Sequence, residues 1–122
     1  MKQAGADGIV IAEPLAGILS PDMAAEFSHP YVKKIVDAMQ TEDFAVIYHN
    51  CGNAIKRQVP QILSTGCVAY HFGNAVPMLE MLEKMPADVL TMGNVDPAGV
   101  LRNGNPEKVR EETLGIMEAC CK

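Results

Sequence analysis

Short apolar runs alternate with longer stretches of helical spacing along the chain. The runs cover residues 8–12, 44–48, 67–70 and 89–92, and each is a continuous apolar stretch rather than a strict alternation of apolar and polar positions. Continuous runs of this length are typical of parallel strands that are covered on both faces. Because a helical segment follows each run, the pattern predicts an α/β fold built from four βα units around a parallel sheet.

The stretches between the runs contain recognisable helix signals. Pro30 lies within the first helical stretch and is expected to divide it, because proline is tolerated only in the first turn of a helix. Shorter helices are predicted within residues 55–62 and 76–82. The last helix has the clearest start, with Asn105 as the N-cap residue and Pro106 at the first helical position.

The number of units suggests part of a larger architecture. Four βα units are half of an eight-unit TIM (β/α)8 barrel, which needs about 250 residues, and the chain has 122. A small open α/β sheet and a half barrel both fit this length. Residues 4–7 resemble a helix-to-strand junction and no strand follows the last helix, so we favour a single partial TIM-barrel domain over residues 1–122. Its edges and one face would be open, and we expect self-association, as a homodimer, to complete or cover it.

Composition narrows the possible partners and the compartment. Hydrophobic residues make up 48% of the chain, and the net charge of -5 comes without any run of Lys or Arg. We therefore expect no nucleic-acid partner and no binding to an anionic membrane. No apolar stretch reaches the ~18 residues of a membrane span, and no signal peptide is recognisable, so a cytoplasmic location is expected. The four cysteines form no CxxC pair, which favours free thiols or metal ligands over disulfides.

Polar residues follow each apolar run at its carboxyl end. In parallel α/β proteins, this edge of the sheet is where ligands bind and catalysis occurs. We therefore expect the following side chains to converge on one site: Glu13 after the first run, His49 and Cys51 after the second, His71 after the third, and Asn94 and Asp96 after the fourth.

His49 and Cys51 are the most distinctive pair among these residues. They are two positions apart, and alternate side chains of a strand share one face, so both could bind one ion. An imidazole nitrogen and a thiolate are ligands that zinc prefers, although a catalytic zinc takes three protein ligands. The alternative is a buried histidine beside a thiol that only packs in the core.

The other candidates also have more than one interpretation. Glu13 could orient a substrate or handle a proton, or it could cap a nearby helix. Asp96 could bind a substrate, but the local pattern favours a cap for the turn that follows it. A histidine such as His71 more often lies in a core or at its rim than in a binding site. Cys67, at the start of a run, is expected to pack in the core.

Several longer segments, taken together, resemble one known family. They are residues 5–14 (GADGIVIAEP), 20–35 (SPDMAAEFSHPYVKKI), 48–53 (YHNCGN), 93–97 (GNVDP) and 101–112 (LRNGNPEKVREE). In order and spacing they resemble the C-terminal half of the barrel of the uroporphyrinogen decarboxylase superfamily. Within it, the chain looks most like the cobamide-dependent branch, the methylcobamide:coenzyme M methyltransferases. HNCG resembles the His-x-Cys zinc motif of that branch, whereas GNVDP is shared with the decarboxylases.

The resemblance implies a reaction and a set of roles. A methyl group would pass from a methylated corrinoid, held by a corrinoid protein or free as methylcobamide, to a small thiol such as coenzyme M. Zn2+ bound by His49 and Cys51 would lower the pKa of that thiol, so that the reactive thiolate is present at neutral pH. The candidate residues around the barrel mouth are Glu13 and Asp96 for catalysis, and Asn94 and His71 for substrate binding.

The chain departs from the family pattern in two respects. In the family, a third zinc ligand is a cysteine that follows the equivalent of the last helix, and the N-terminal half of the barrel supplies further contacts. We therefore expect zinc to bind weakly or not at all, and the isolated chain to be inactive. One alternative is a uroporphyrinogen decarboxylase-like protein of porphyrin biosynthesis. The resemblance assigns the decarboxylation to residues of the N-terminal half of the barrel. Another is a catalytically inactive, oligomeric half barrel.

Overall fold

The strands form one parallel sheet. A computed structural model describes residues 1–120, and its four strands follow each other in chain order across the sheet. They are β1 (Gly8–Ala12), β2 (Ala45–Asn50), β3 (Ala69–Phe72) and β4 (Leu90–Met92). Parallel neighbours in this order, each followed by helical segments, confirm the predicted βα units and correspond to half of a TIM barrel.

The helices described in residues 1–120 are α1 (Pro21–Phe27), α2 (His29–Met39), α3 (Val59–Leu63), α4 (Met78–Leu82) and α5 (Pro106–Cys120), and a π-helical turn (Pro97–Arg102) precedes α5. The predicted division at Pro30 is confirmed, because this residue lies in the first turn of α2. The predicted N-cap is confirmed too, since Asn105 Oδ1 accepts a hydrogen bond from the Lys108 N–H at 2.8 Å. None of these helices has the length and apolar character that a bilayer crossing requires.

β2 and β3 extend further along the chain than the apolar runs predicted. β2 ends at Asn50 and β3 at Phe72, so His49 and His71 lie within strands and not after them. The ladder continues past the apolar residues, and even the Glu13 N–H, just beyond β1, donates to the His49 carbonyl at 2.9 Å. Backbone pairing depends on the neighbouring strand and not on side-chain polarity. The two strands therefore continue beyond the ends of the apolar runs that were used to predict them.

The hydrophobic core lies on one face of the sheet, which we call the covered face. Tyr48, Tyr70 and Phe72 point to this face and are at most 2% exposed. Residues of α2, α3 and α4 pack against them, and Cys67 is buried in the same cluster, as predicted. This arrangement follows from the alternation of side chains along each strand, which is visible in β2 as alternating buried and half-buried positions.

The opposite face of the sheet, which we call the open face, retains exposed apolar residues at its edges. The strand register places Val10, Ile47, Ala69 and Leu90 in one row across this face. Val10 and Leu90, at the ends of that row, are each 61% exposed. The sequence predicted strands covered on both faces. Apolar residues are indeed present on both, but the buried core of residues 1–120 lies on the covered face.

Candidate functional site

His49 and His71 meet on the open face, at the carboxyl end of the sheet. They are directly paired across β2 and β3, and their Nδ1 atoms are 2.7 Å apart. The two rings are tilted relative to each other, with centroids 4.8 Å apart. At this distance one Nδ1 donates a hydrogen bond and the other accepts it.

The environment disfavours the protonated form of His71. Burial lowers the pKa of His71, and the neighbouring His49 lowers that pKa further. Both effects act in the same direction, because desolvation and a nearby positive charge each disfavour the protonated ring. His71 is therefore neutral at pH 7, which is the form in which histidine coordinates metals.

Cys51 follows β2 directly, and its thiol is exposed and free. Gly73 approaches it from the segment that follows β3. A Cβ atom at Gly73 would be 2.5 Å from the Cβ of Cys51 and 2.7 Å from its Cα, distances that real side chains do not show. Position 73 must therefore be glycine for Cys51 to lie where it does, and no side chain at that position stands between the thiol and the histidine pair.

The donor atoms at this edge are of the kinds that zinc prefers, namely imidazole nitrogen and thiolate sulfur. In the described part of the chain, however, no group of three or more His, Cys, Asp or Glu side chains is arranged to hold a metal ion as the side chains stand. The donors that the sequence predicted are His49 and Cys51. Metal binding by them stays a prediction.

The turn that contains Cys51 is anchored from the covered face of the sheet. The buried Asn50 accepts a hydrogen bond from the Gly52 N–H at 2.9 Å, and its Nδ2 donates to the Tyr48 hydroxyl at 3.1 Å. Burial raises the pKa of Tyr48 to about 12, so this phenol stays protonated at neutral pH. Gly52 also packs on the backbone of Gly17, with no room for a Cβ on either residue. The backbone is thus fixed on both sides of Cys51.

Glu13 lies beside His49, just after the end of β1. Its Oε2 accepts a hydrogen bond from the Ser28 hydroxyl at 2.8 Å. Ser28 directly precedes α2, so the carboxylate contacts the start of a helix through a side chain rather than by capping backbone N–H groups. The side chain of Glu13 is half-buried, and its role toward a substrate stays a prediction.

Asn94 joins the segments that follow β3 and β4. Its Nδ2 donates hydrogen bonds to the carbonyl oxygens of Gly73, at 3.0 Å, and Val76, at 2.6 Å. These bonds hold the segment that contains Gly73, and so support the position of Cys51 indirectly. Substrate binding by Asn94 stays a prediction.

Asp96 caps the π-helical turn, as the local pattern predicted. Its Oδ1 accepts hydrogen bonds from the backbone N–H groups of Gly99, at 3.0 Å, and Ala98, at 2.9 Å. These bonds stabilise the carboxylate and lower the pKa of Asp96. Asp96 and Asn94 also line a cleft of about 730 Å³ whose opposite wall is α5.

Some of the predicted site residues come together and others do not. The imidazole pair and the thiol lie at the ends of β2 and β3. The Glu13 carboxylate instead bonds to the buried Ser28, and Asn94 and Asp96 support the neighbouring loops. Two supporting residues, Asn50 and Gly73, were not predicted. A signal for Gly73 was present, since HFG at residues 71–73 repeats the two-residue spacing of HNC at residues 49–51.

Comparison with known proteins gives the chain a family. A family model described as uroporphyrinogen decarboxylase (URO-D) matches residues 1–122. The chain belongs to the uroporphyrinogen decarboxylase family. This membership confirms the family that the sequence motifs indicated, and the half-barrel sheet agrees with it.

Family members with two different names are similar to the chain. Methylcobamide:CoM methyltransferase MtbA of Methanosarcina mazei is 32% identical over 121 residues, which cover 98% of this chain and 35% of that protein. Uroporphyrinogen decarboxylase of Chlorobium phaeobacteroides is 31% identical over 119 residues, which cover 95% of this chain and 32% of that protein. The chain therefore spans about a third of the length of these family members. The two identities are too close to decide between the two named activities.

Proposed function

We propose that the chain is part of a zinc-dependent methyltransferase, which transfers a methyl group from a methylated corrinoid to a small thiol such as coenzyme M. The observation that supports this most is the combination of His49 and the exposed thiol of Cys51 at the carboxyl end of the open face. Similarity to the protein named methylcobamide:CoM methyltransferase, over 98% of this chain, is consistent with it.

The chain's own residues would do three things in this reaction. His49 and Cys51 would hold Zn2+, which when bound lowers the pKa of a thiol and so supplies a thiolate at neutral pH. Glu13, at the end of the adjoining strand, would take up the thiol proton or orient the thiol. Asn94 and Asp96 would hold the loops that shape the substrate cleft.

The bonds and electrons of this transfer balance without any further reactant. The thiol loses its proton, and its sulfur forms a bond to the methyl carbon. The cobalt–carbon bond of the methylated corrinoid breaks at the same time, and its electron pair stays with the corrinoid. The corrinoid, whether free or held by a corrinoid protein, and the thiol are thus the only substrates that the proposal requires.

Zinc binding by the purified chain tests the proposal. We expect weak binding of one Zn2+ per chain in a competition titration with a chromophoric chelator, because His49 and Cys51 are two of the three protein ligands that a catalytic zinc takes. Cys51→Ala should abolish this binding, because it removes the thiolate. Cys67→Ala is the matched control, since its thiol is buried two residues before β3 begins, and it should bind zinc like the parent chain.

Two results would contradict the proposal. One is a parent chain that takes up no zinc, and the other is a Cys51→Ala variant with undiminished affinity. Binding of uroporphyrinogen in place of zinc would favour the alternative, a decarboxylase-like protein, which similarity to the Chlorobium phaeobacteroides protein supports.

We also propose that the 122-residue chain, on its own, forms a homodimer through the open face. Val10 and Leu90 expose apolar surface there, each to 61%, and burial of such a patch against a second copy is favourable. A catalytically inactive, oligomeric half barrel would be the consequence if no zinc is bound.

Sedimentation equilibrium tests the dimer. We expect the parent chain to sediment as a dimer and the double variant Val10→Lys/Leu90→Lys to sediment as a monomer, because two lysines on this face cannot be buried without partners. Met23→Lys is the control, since Met23 is 47% exposed on α1, away from the open face, and it should remain dimeric. A parent chain that is monomeric at all concentrations would contradict the proposal.

A further inference from the structure

We propose that His29 is an acid-sensitive switch: its neutral ring packs beside Tyr48, and protonation drives the ring out of this position and loosens the anchor of the Cys51 turn. His29 is the first residue of α2 and is 3% exposed. It has no part in the proposed methyl transfer. The inference does not depend on that transfer or on zinc, because it concerns the stability of the fold.

The first support is the burial of both ring nitrogens. Within residues 1–120, neither Nδ1 nor Nε2 of His29 has a hydrogen-bond partner, although both atoms are buried. A neutral imidazole in this position leaves one donor and one acceptor unpaired. A protonated imidazole would leave two donors and a full charge unpaired. The position is therefore much less compatible with the charged ring than with the neutral one.

The second support is that the groups on the neighbouring strands do not compensate a positive charge. The Glu13 carboxylate, just after β1, favours protonation of His29, but its Oε2 accepts a hydrogen bond from Ser28 at 2.8 Å. Tyr48, on β2, meets His29 edge to face with the ring centroids 6.3 Å apart, and burial keeps its phenol protonated and neutral. Desolvation outweighs the carboxylate, and the pKa of His29 is lowered.

The helix residues that line the cleft beside the ring are positive or uncharged. Lys33, one turn further along α2, carries a like charge, and its Nζ is 2.8 Å from the Asp37 carboxylate. The N-terminal turn of α2 adds a partial positive charge of its own. The residues that α1 and the end of α3 contribute to this cleft are uncharged, namely Ala25, Gln61 and Ser64.

The third support is a second position for the charged ring. His29, Lys33 and Gln61 line a cleft of about 200 Å³ between α2 and α3. Gln61 Oε1 is buried and has no hydrogen-bond partner within residues 1–120, so it can accept from an N–H of a protonated imidazole. Rotation of His29 about χ1, between staggered wells, would move the ring toward this oxygen.

The contact with Tyr48 connects the switch to the functional site. The Tyr48 hydroxyl accepts a hydrogen bond from Asn50 Nδ2, and Asn50 Oδ1 accepts one from the Gly52 N–H. Departure of the His29 ring removes the packing on one side of Tyr48. We therefore expect the turn that contains Cys51 to loosen in acid.

The pH dependence of stability tests the switch. The pKa of His29 is lower in the folded chain than in the unfolded chain, where it is about 6.5. The unfolded chain therefore takes up the proton first, and stability is lost as the pH falls below about 6.5. His29→Leu cannot take up this proton. From about pH 7 to about pH 5, its unfolding equilibrium constant should rise up to about 30-fold less than that of the parent chain.

Urea denaturation at one fixed protein concentration measures these constants, and two more variants complete the set. Gln61→Leu removes the acceptor of the charged ring, so its loss of stability in acid should exceed that of the parent chain. Tyr31→Leu is the control, since Tyr31 is 56% exposed on the same helix, and it should keep the pH dependence of the parent chain. His71 and the carboxylates titrate in every variant, so their contribution cancels in the comparison.

NMR of the imidazole and of the Gly52 amide gives an independent measurement. The His29 ring should titrate with a midpoint below 6.5, and the Gly52 resonance should shift over the same pH range in the parent chain but not in His29→Leu. A ring midpoint at the ordinary value, or equal acid losses in the parent chain and His29→Leu, would overturn the inference. If His29→Leu does not fold, the ring midpoint in the parent chain and the acid loss of Gln61→Leu decide.

Discussion

Phe72→Ala is expected to lower the free energy of unfolding by about 3–5 kcal/mol, the usual cost of removing a fully buried phenylalanine ring. Phe72 is 0% exposed and lies in the core cluster on the covered face. The loss would combine the transfer of the removed atoms with the cavity that they leave. For a domain of this size it is a large part of the total stability, which is about 5–15 kcal/mol.

Phe27→Ala is the matched control for this substitution. Phe27 is the last residue of α1 and is 60% exposed, so the same chemical change there should alter the free energy of unfolding by less than about 0.5 kcal/mol. Urea denaturation at one fixed protein concentration, followed by circular dichroism, measures both. Equal losses in the two variants would mean that the covered face is not where the chain buries its core.

Gly52→Ala is expected to destabilise the chain by about 1–3 kcal/mol and to weaken zinc binding as well. The φ angle of Gly52 is -83°, which alanine adopts easily, so conformational strain is not the reason. A Cβ at this position would overlap the backbone of Gly17, and backbone atoms cannot move aside as a side chain can. The two segments must separate, and the turn that holds Cys51 moves with them.

Gly115→Ala is the control, and its expected effect has the opposite sign. Nothing lies within 4 Å of the Cβ that it would add, and Gly115 is an exposed position within α5. Alanine is favoured over glycine in a helix by about 1 kcal/mol, so the variant should be slightly more stable and should bind zinc unchanged. If both glycine variants behave alike in denaturation and zinc titration, the contact between Gly17 and Gly52 does not position Cys51.

The features that the sequence predicted well depend on interactions within a few residues. Pro30 in the first turn of α2 and Asn105 as the cap of α5 are examples, because a missing N–H or a side-chain oxygen acts on the adjacent turn. The cap formed by Asp96 belongs to the same class. The order of strands and helices was also predictable, since apolar runs of strand length alternate with helical stretches along the whole chain.

The features that were not predicted depend on segments that are distant in sequence. β2 continues to Asn50 because β3 pairs with it there, and no property of residues 45–50 alone reveals this. The approach of Gly73 to Cys51 requires the twist and register of two strands to be known. The contact between His49 and His71 could have been anticipated only from the register that pairs them.

Successive residues of β2 face opposite sides of the sheet, so the positions that fold the chain and the positions available for chemistry are interleaved in sequence but separated in space. Tyr48 and Asn50 belong to the first group, and His49 belongs to the second. Cys51, with its exposed thiol, follows directly after the strand. A point substitution on the open face can therefore change the donor set while the core stays intact. Insertion or deletion of one residue within β2 would exchange the two groups and turn the imidazole toward the core. New activities on this half barrel are thus accessible to evolution through substitution, and changes of strand length by one residue are not.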